Sequence, residues 1–241
     1  MAILAIDAGN TRVKWGLWED RGFIARGSVL TVRATELADA LHMLARPQRV
    51  IGSNVAGEKV GTQIGQALAP WRLTPEWIVS RQRQCGVASC YVQPEQLGSD
   101  RWAALIGAHA RQARACLVVN VGTAVTIDAL TAEGAFLGGL IVPGIELMSR
   151  SLATGTAGLP IEAGQFEPFP TSTANAIYSG AIHAICGAIE RMEHALAAAG
   201  HSEPEIIVGG GAGDLVAARL THPATQAPNL VLEGLIAIAL E

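Results

Sequence analysis

The sequence predicts an α/β fold built from two related halves. An apolar strand ending in a polar residue, a glycine two positions on and a second strand occur at residues 2–18 and again at 116–130, so that Asp7 aligns with Asn120 and Gly9 with Gly122. Helical patterns and short apolar runs alternate through the rest of the chain, as mixed sheets flanked by helices require. The segment 173–200 has apolar residues at 177, 181, 185, 189, 192 and 196 with Gly200 just beyond, the mark of a long helix and its stop.

Residues 2–7, 11–18 and 22–30 read as three strands joined by short turns. Helical 34–45, a strand at 49–54 and helical 57–69 follow. Residues 98–114 have helical composition, with Asp100 near the start and arginines near the end, where the helix dipole favours them. After strands within 116–130 and 134–142, Pro143 suits the first turn of a helix. The tail adds a strand at 205–208, the glycine turn "GGGAGD", a further helix and the apolar run "NLVLEGLIAIALE". The halves are expected to be domains 1–115 and 116–241, joined without a flexible linker, and no segment is low-complexity.

Half of the 241 residues are hydrophobic, aromatics are few and the formal net charge is −4, which argues against broad electrostatic nucleic-acid binding. The N-terminus lacks a secretory pattern and no apolar run reaches the roughly 20 residues needed to span a bilayer. The chain therefore reads as cytoplasmic. Cys85, Cys90, Cys116 and Cys186 form no C-x-x-C pair, and the six histidines are scattered, so none is assigned to a metal.

Asp7 is the residue that composition leaves unexplained. An unpaired carboxylate is costly at the end of a strand as apolar as residues 2–6, so its charge must serve something. A tight turn carrying glycine with hydroxyl or amide residues can aim donors at one anion, and two such turns facing a common cleft would grip a polyphosphate. Asp7 and Asp128 then suit Mg²⁺, directly or through water. Lys14 is one of only two lysines among 17 basic residues and would neutralise phosphate charge. Neither a P-loop nor a G-x-G-x-x-G pattern is present. On residues alone this points to an ATP-dependent phosphotransferase.

Five stretches, "DAGNTRVKWG", "GSDR" at 98–101, "NVGTAVTID" at 120–128, "GGLIVPG" at 138–144 and "TANAIYSG" at 173–180, resemble type III pantothenate kinase, of the actin-like sugar-kinase superfamily. They span nearly the whole chain in order. The resemblance implies duplicated actin-like (ribonuclease H-like) domains with a nucleotide cleft between the halves, and phosphorylation of pantothenate by ATP with Mg²⁺, the first step of coenzyme A biosynthesis. It assigns Asp7, Gly9, Asn10, Thr11 and Lys14 to a first phosphate loop, and Gly122 and Thr123 to a second. Asp100 becomes the catalytic base, where the residues alone favour a helix N-terminal carboxylate. Arg101 becomes a grip on the substrate's carboxylate, and Tyr91, Gly98, Ser99 and Thr173 become substrate contacts. Thr173 serves equally as a helix cap and Tyr91 as an ordinary half-buried ring.

The family is dimeric, and Gly180, Ala181, Ala184 and Gly187 would suit either a second copy or an internal packing site. One departure is Asn120, where the family commonly has an aspartate associated with K⁺ or NH₄⁺. An amide oxygen still ligates but brings no charge. Two rival readings are a regulatory protein, since the family includes the Bvg accessory factor, and another small-molecule kinase of the superfamily. The acidic balance and lack of a basic helix argue against direct DNA reading.

Overall fold

The computed structural model describes residues 1–156 and 162–241. In chain order its elements begin with the meander β1 (Ile3–Ala8), β2 (Arg12–Glu19) and β3 (Gly22–Leu30), then α1 (Leu37–Leu41), β4 (Arg49–Asn54) and α2 (Glu58–Leu68). Short strands β5 (Glu76–Trp77), β6 (Arg83–Gln84) and β7 (Val87–Ser89) lead to α3 (Ser99–Arg111). A second meander follows, β8 (Cys116–Val121), β9 (Ala124–Leu130) and β10 (Ala135–Pro143), then α4 (Ile145–Gly155) and α5 (Thr173–Ala198). The chain closes with β11 (Glu205–Gly209), α6 (Gly213–Ala217), β12 (Ala224–Gln226) and α7 (Leu230–Leu240).

The chain divides into two compact units, residues 1–113, 133–137 and 229–241, and residues 114–132 and 138–228. In the first, the sheet order is β3-β2-β1-β4-β5, antiparallel through the meander and parallel beyond it. In the second the order β10-β9-β8-β11-β12 repeats it, again with β8 and β9 antiparallel and β11 parallel to both β8 and β12. The duplication seen in the turns is therefore a duplication of topology.

In the first unit Leu4, Ile6 and Ala8 turn toward α1 and α2, joining Leu37, Leu41, Ile64 and Leu68 in one core. The opposite face of β1 and β4 is covered by α3 and α7, which explains why β1 is apolar at successive positions rather than alternate ones. In the second unit Ile182, Ile185 and Ile189 of α5 pack on Leu117, Val119, Val125 and Ile127. Ala181 belongs to this core, whereas Gly180, Ala184 and Gly187 lie on the exposed side of the helix.

Three local expectations change. The stretch expected as helix 34–45 is a 3₁₀ turn, Thr31–Glu36, followed by the short α1, because Arg33 has non-helical φ −120° and ψ 35°. Pro143 ends β10 instead of starting a helix, since Gly144 donates its N–H to Thr123 O at 2.8 Å and α4 begins after it. The apolar tail is the helix α7, and it belongs to the first unit although its sequence position lies in the second half.

Candidate active site

Asp7 lies near the end of β1, with Lys14 opposite it on β2 and Ser53 beside it on β4. The following turn is closed by Gly9 N–H donating to Arg12 O at 3.0 Å. Thr31 pins it from outside, its Oγ1 donating to Gly9 O at 2.7 Å and its N–H to Thr11 O at 2.9 Å. Asn10 and Thr11 are left exposed at the tip. The Gly9 N–H is thus spent inside the turn, so a ligand here must find its donors at other groups.

The Asp7 side chain is half-buried, but its Oδ1 is wholly buried and has no hydrogen-bond partner. Burial and then the charge of Asp100 push its carboxyl up to about 7, while Lys14 pulls it down. An orphaned carboxylate oxygen next to a second carboxylate is the environment a hard cation relieves.

Asp100 sits in the first turn of α3 after the N-cap Gly98, whose O accepts Trp102 N–H at 3.0 Å. Its Oδ1 accepts the Arg101 N–H at 2.8 Å. Burial raises the Asp100 pKa above the ordinary carboxylate value, against the lowering effect of Arg101. The glycine of "GSDR" has a steric reason, because a Cβ at residue 98 would lie 2.7 Å from Asp100 Oδ1. Ser99 meets Ser53 with their hydroxyl oxygens 2.8 Å apart.

Arg101 points to the other side of the helix start and is only 7% exposed. Its Nη1 donates to the Tyr91 hydroxyl at 3.3 Å, and its guanidinium carbon lies 5.9 Å from the Tyr91 ring centre and 6.0 Å from that of Phe136. The two rings touch at a centroid distance of 5.2 Å. A guanidinium held against aromatic faces keeps its charge with little hydration, which suits it to a carboxylate.

In the second unit the turn between β8 and β9 carries Gly122 and Thr123, both exposed. Gly122 N–H donates to Ala124 O at 3.1 Å, the same internal use of a turn glycine as at Gly9. Asn120 is half-buried and opposite Thr126, while Asp128, opposite Val118 on β9, is 1% exposed. Thr173 opens α5 with an exposed side chain, and the cap is Ser172, whose Oγ accepts Asn175 N–H at 3.3 Å. Among the described residues no group of three or more His, Cys, Asp or Glu is arranged to hold a metal.

The first unit therefore brings Asp7, Lys14, Ser99, Asp100, Arg101 and Tyr91 to the ends of β1, β2 and α3. A carboxylate of raised pKa beside a buried guanidinium can take a proton from a hydroxyl while a substrate carboxylate is held, which is what phosphoryl transfer to a small hydroxy acid demands. A family model for type III pantothenate kinase matches residues 3–195. The chain belongs to the type III pantothenate kinase family.

Type III pantothenate kinases of Nitrosospira multiformis and Nitrosomonas eutropha are each 46% identical to it, over 99% of this chain and 91% of the first relative, and 98% and 94% for the second. Among solved structures, a Campylobacter jejuni protein described as a Baf family transcriptional activator superposes with TM-score 0.64 at 20% identity, covering 98% of this chain and 97% of the other. The ethanolamine utilization protein EutJ of Carboxydothermus hydrogenoformans gives 0.53 at 13% identity, covering 99% and 90%. A glucokinase from an Antarctic psychrotroph gives 0.50 at 11%, covering 100% and 99%. These show a shared actin-like fold.

Several residues at this family's site carry no sequence signal of their own. Phe136 reaches Arg101 from β10, and Thr31 secures the first turn from a 3₁₀ segment. A Cβ at Gly144 would collide with Gly122 O and Thr123 O, and one at Gly210, at φ +93°, with the Val121 backbone. Both glycines therefore brace the second turn from behind. Gly144 lies within "GGLIVPG" and Gly210 within "GGGAGD", so repeated glycine marked the segments but not the contacts.

Proposed function

We propose that this chain transfers the γ-phosphoryl group of ATP to the primary hydroxyl of pantothenate, yielding 4'-phosphopantothenate and ADP at the head of coenzyme A biosynthesis. Membership of the type III pantothenate kinase family across nearly the whole chain is the observation that carries it. The placement of Asp100 and Arg101 on one helix start supports the division of labour. Arg101 holds the pantothenate carboxylate against Tyr91, and Asp100 accepts the hydroxyl proton as that oxygen bonds to the γ-phosphorus and the bond to ADP breaks. The burial that lifts the Asp100 pKa makes it a better base.

The phosphates are assigned to Asn10, Thr11 and Lys14 in the first unit and to Thr123 in the second, with Gly9 and Gly122 keeping the turns free of side chains. The buried, unpartnered Oδ1 of Asp7 fits Mg²⁺, which Asp7 would hold. When bound, Mg²⁺ supplies charge neutralisation on the phosphate oxygens. Asn120 is assigned to a weak K⁺ or NH₄⁺ site. Substrate contacts are assigned to Tyr91, Gly98, Ser99 and Thr173 in addition.

A homodimer is part of this reading, and the activity is placed in the cytoplasm. Leu140, Ile141, Leu147 and Leu152 of the second unit are exposed apolar side chains, and Gly180, Ala184 and Gly187 open a flat strip on α5, surfaces suited to a second copy. No helix among the described residues is long and apolar enough to cross a membrane. The test is ADP release with ATP and Mg²⁺ over a panel of small hydroxyl compounds. Pantothenate should give turnover well above background and hexoses should not, while failure with pantothenate would sink the assignment.

A further inference from the structure

We propose that Ser53 is a positioning residue that turns the Ser99 hydroxyl proton toward the acceptor substrate. Ser53 is next to last in β4, wholly buried, and the register neighbour of Asp7. Its Oγ lies 2.8 Å from Ser99 Oγ, which is its partner among the described residues. Either oxygen could donate on distance alone, but their surroundings differ. A fully buried hydroxyl whose hydrogen has no other acceptor must donate or leave that hydrogen unsatisfied, at a cost that native structures avoid. Ser99 is half-buried and has no such constraint. Ser53 therefore donates, Ser99 Oγ accepts, and the Ser99 proton faces away from Ser53.

That proton is not used to start the helix. Gly98 is the N-cap of α3, no side chain caps it, and Ser99 is the first helical residue. The adjoining Asp100, as the ionised carboxylate a base requires, only accepts, whereas Ser99 oriented by Ser53 donates. Side by side they match a substrate with a reacting hydroxyl, which gives its proton to Asp100, and a second oxygen close to it, which accepts from Ser99. A hydroxyl or amide carbonyl oxygen qualifies. This deepens the proposed function and rests on its placing of the acceptor substrate at the start of α3.

The experiment compares Ser53→Ala, Ser99→Ala and the double variant by steady-state kinetics with pantothenate and ATP varied separately, with thermal unfolding of each. Ser53→Ala and Ser99→Ala should each raise the KM for pantothenate about three- to tenfold, the worth of one neutral hydrogen bond, and leave the KM for ATP unchanged. The double variant should be no worse than Ser99→Ala, because Ser53 acts only through Ser99. Additive effects, or a lowered unfolding temperature and kcat at constant KM, would make Ser53 merely structural and overturn the proposal. An unchanged pantothenate KM in Ser53→Ala beside a raised one in Ser99→Ala would also overturn it while leaving the substrate placement intact. An unchanged KM in Ser99→Ala would instead remove Ser99 from the substrate site, and the underlying reading would fail there.

Discussion

Gly98 and Asp100 are matched in space: the carboxylate oxygen that accepts the Arg101 N–H occupies room that any side chain at residue 98 would enter, 2.7 Å from the position of a Cβ. Gly98 has φ −54° and ψ 135°, a conformation open to alanine, so backbone strain does not enter. Gly98→Ala should then fold normally and displace the carboxylate. A shift of about 1 Å at a reacting group costs on the order of 10²-fold, and we expect a fall in kcat of that size with an unfolding temperature near that of the parent. Parent-like kcat would mean that Asp100 adapts without penalty.

Asp100 and Arg101 should separate kinetically. Asp100→Asn keeps the shape and removes the proton acceptor, so kcat should drop about 10²- to 10⁴-fold with pantothenate binding nearly unchanged. Arg101→Ala should raise the KM for pantothenate about tenfold or more through loss of a charge-assisted contact, with a smaller effect on kcat. Isothermal titration beside steady-state rates reads both quantities. The same defect in both variants would refute the division of roles.

Asp7 gives the ligand-free protein a pH dependence of definite sign. Its carboxyl stands at about 7 in the folded chain against 3.8 as the reference value, so between about pH 4 and pH 7 the folded state holds a proton that the unfolded state has released. Stability therefore falls as pH rises through that window, and Asp100, shifted in the same direction, adds to the fall. Asp7→Asn removes one group and its charge on the other. Thermal unfolding without nucleotide and with a chelator, from pH 4 to 8, should show a shallower decline for the variant and a higher unfolding temperature at pH 8. Parallel curves would contradict the shift.

Asn120 bears on the monovalent ion. A neutral amide lacks the attraction that a carboxylate contributes to a cation among protein oxygens. Activity in Tris buffer free of K⁺ and NH₄⁺ should therefore stay within about twofold of that with K⁺ at the same ionic strength. Many-fold activation by K⁺ would show that carbonyl and amide oxygens suffice, and Asn120→Asp should then tighten the ion further.

The meanders, the parallel strand at 49–54 and the long helix were legible because each is a local pattern, period or turn, that burial then reinforces. Asp7 stood out for a related reason, as a charge where the strand pattern forbids one. Contacts between distant segments left no such trace. Ser53 reads as an unremarkable serine, and its meaning comes from Ser99, 46 residues later. Phe136 joins Arg101 through a β10 pairing with β7 that neither segment announces. Thr173 sits where a cap was a fair reading, yet Ser172 one residue earlier reaches the Asn175 N–H instead. The tail at 229–241 is apolar around most of its circumference, Glu233 apart, which hides helical periodicity and reflects burial of Leu230, Leu232, Leu235, Ile236 and Ile238.

That tail also sets an order of events during synthesis. Gly234 of α7 and Gly107 of α3 are in backbone contact, with no room for a Cβ on either, and α7 covers β1 and β4 of the first unit as well. The layer that closes the first unit is therefore translated only after residues 114–228 have emerged, an interval on the order of ten seconds at ~5–20 residues per second. Through that interval the inner faces of α3 and β1 lie open while the second meander is already free to pair. The nascent chain exposes the apolar β1 until α7 leaves the ribosome, and it is there that a chaperone or an aggregating neighbour would compete for it.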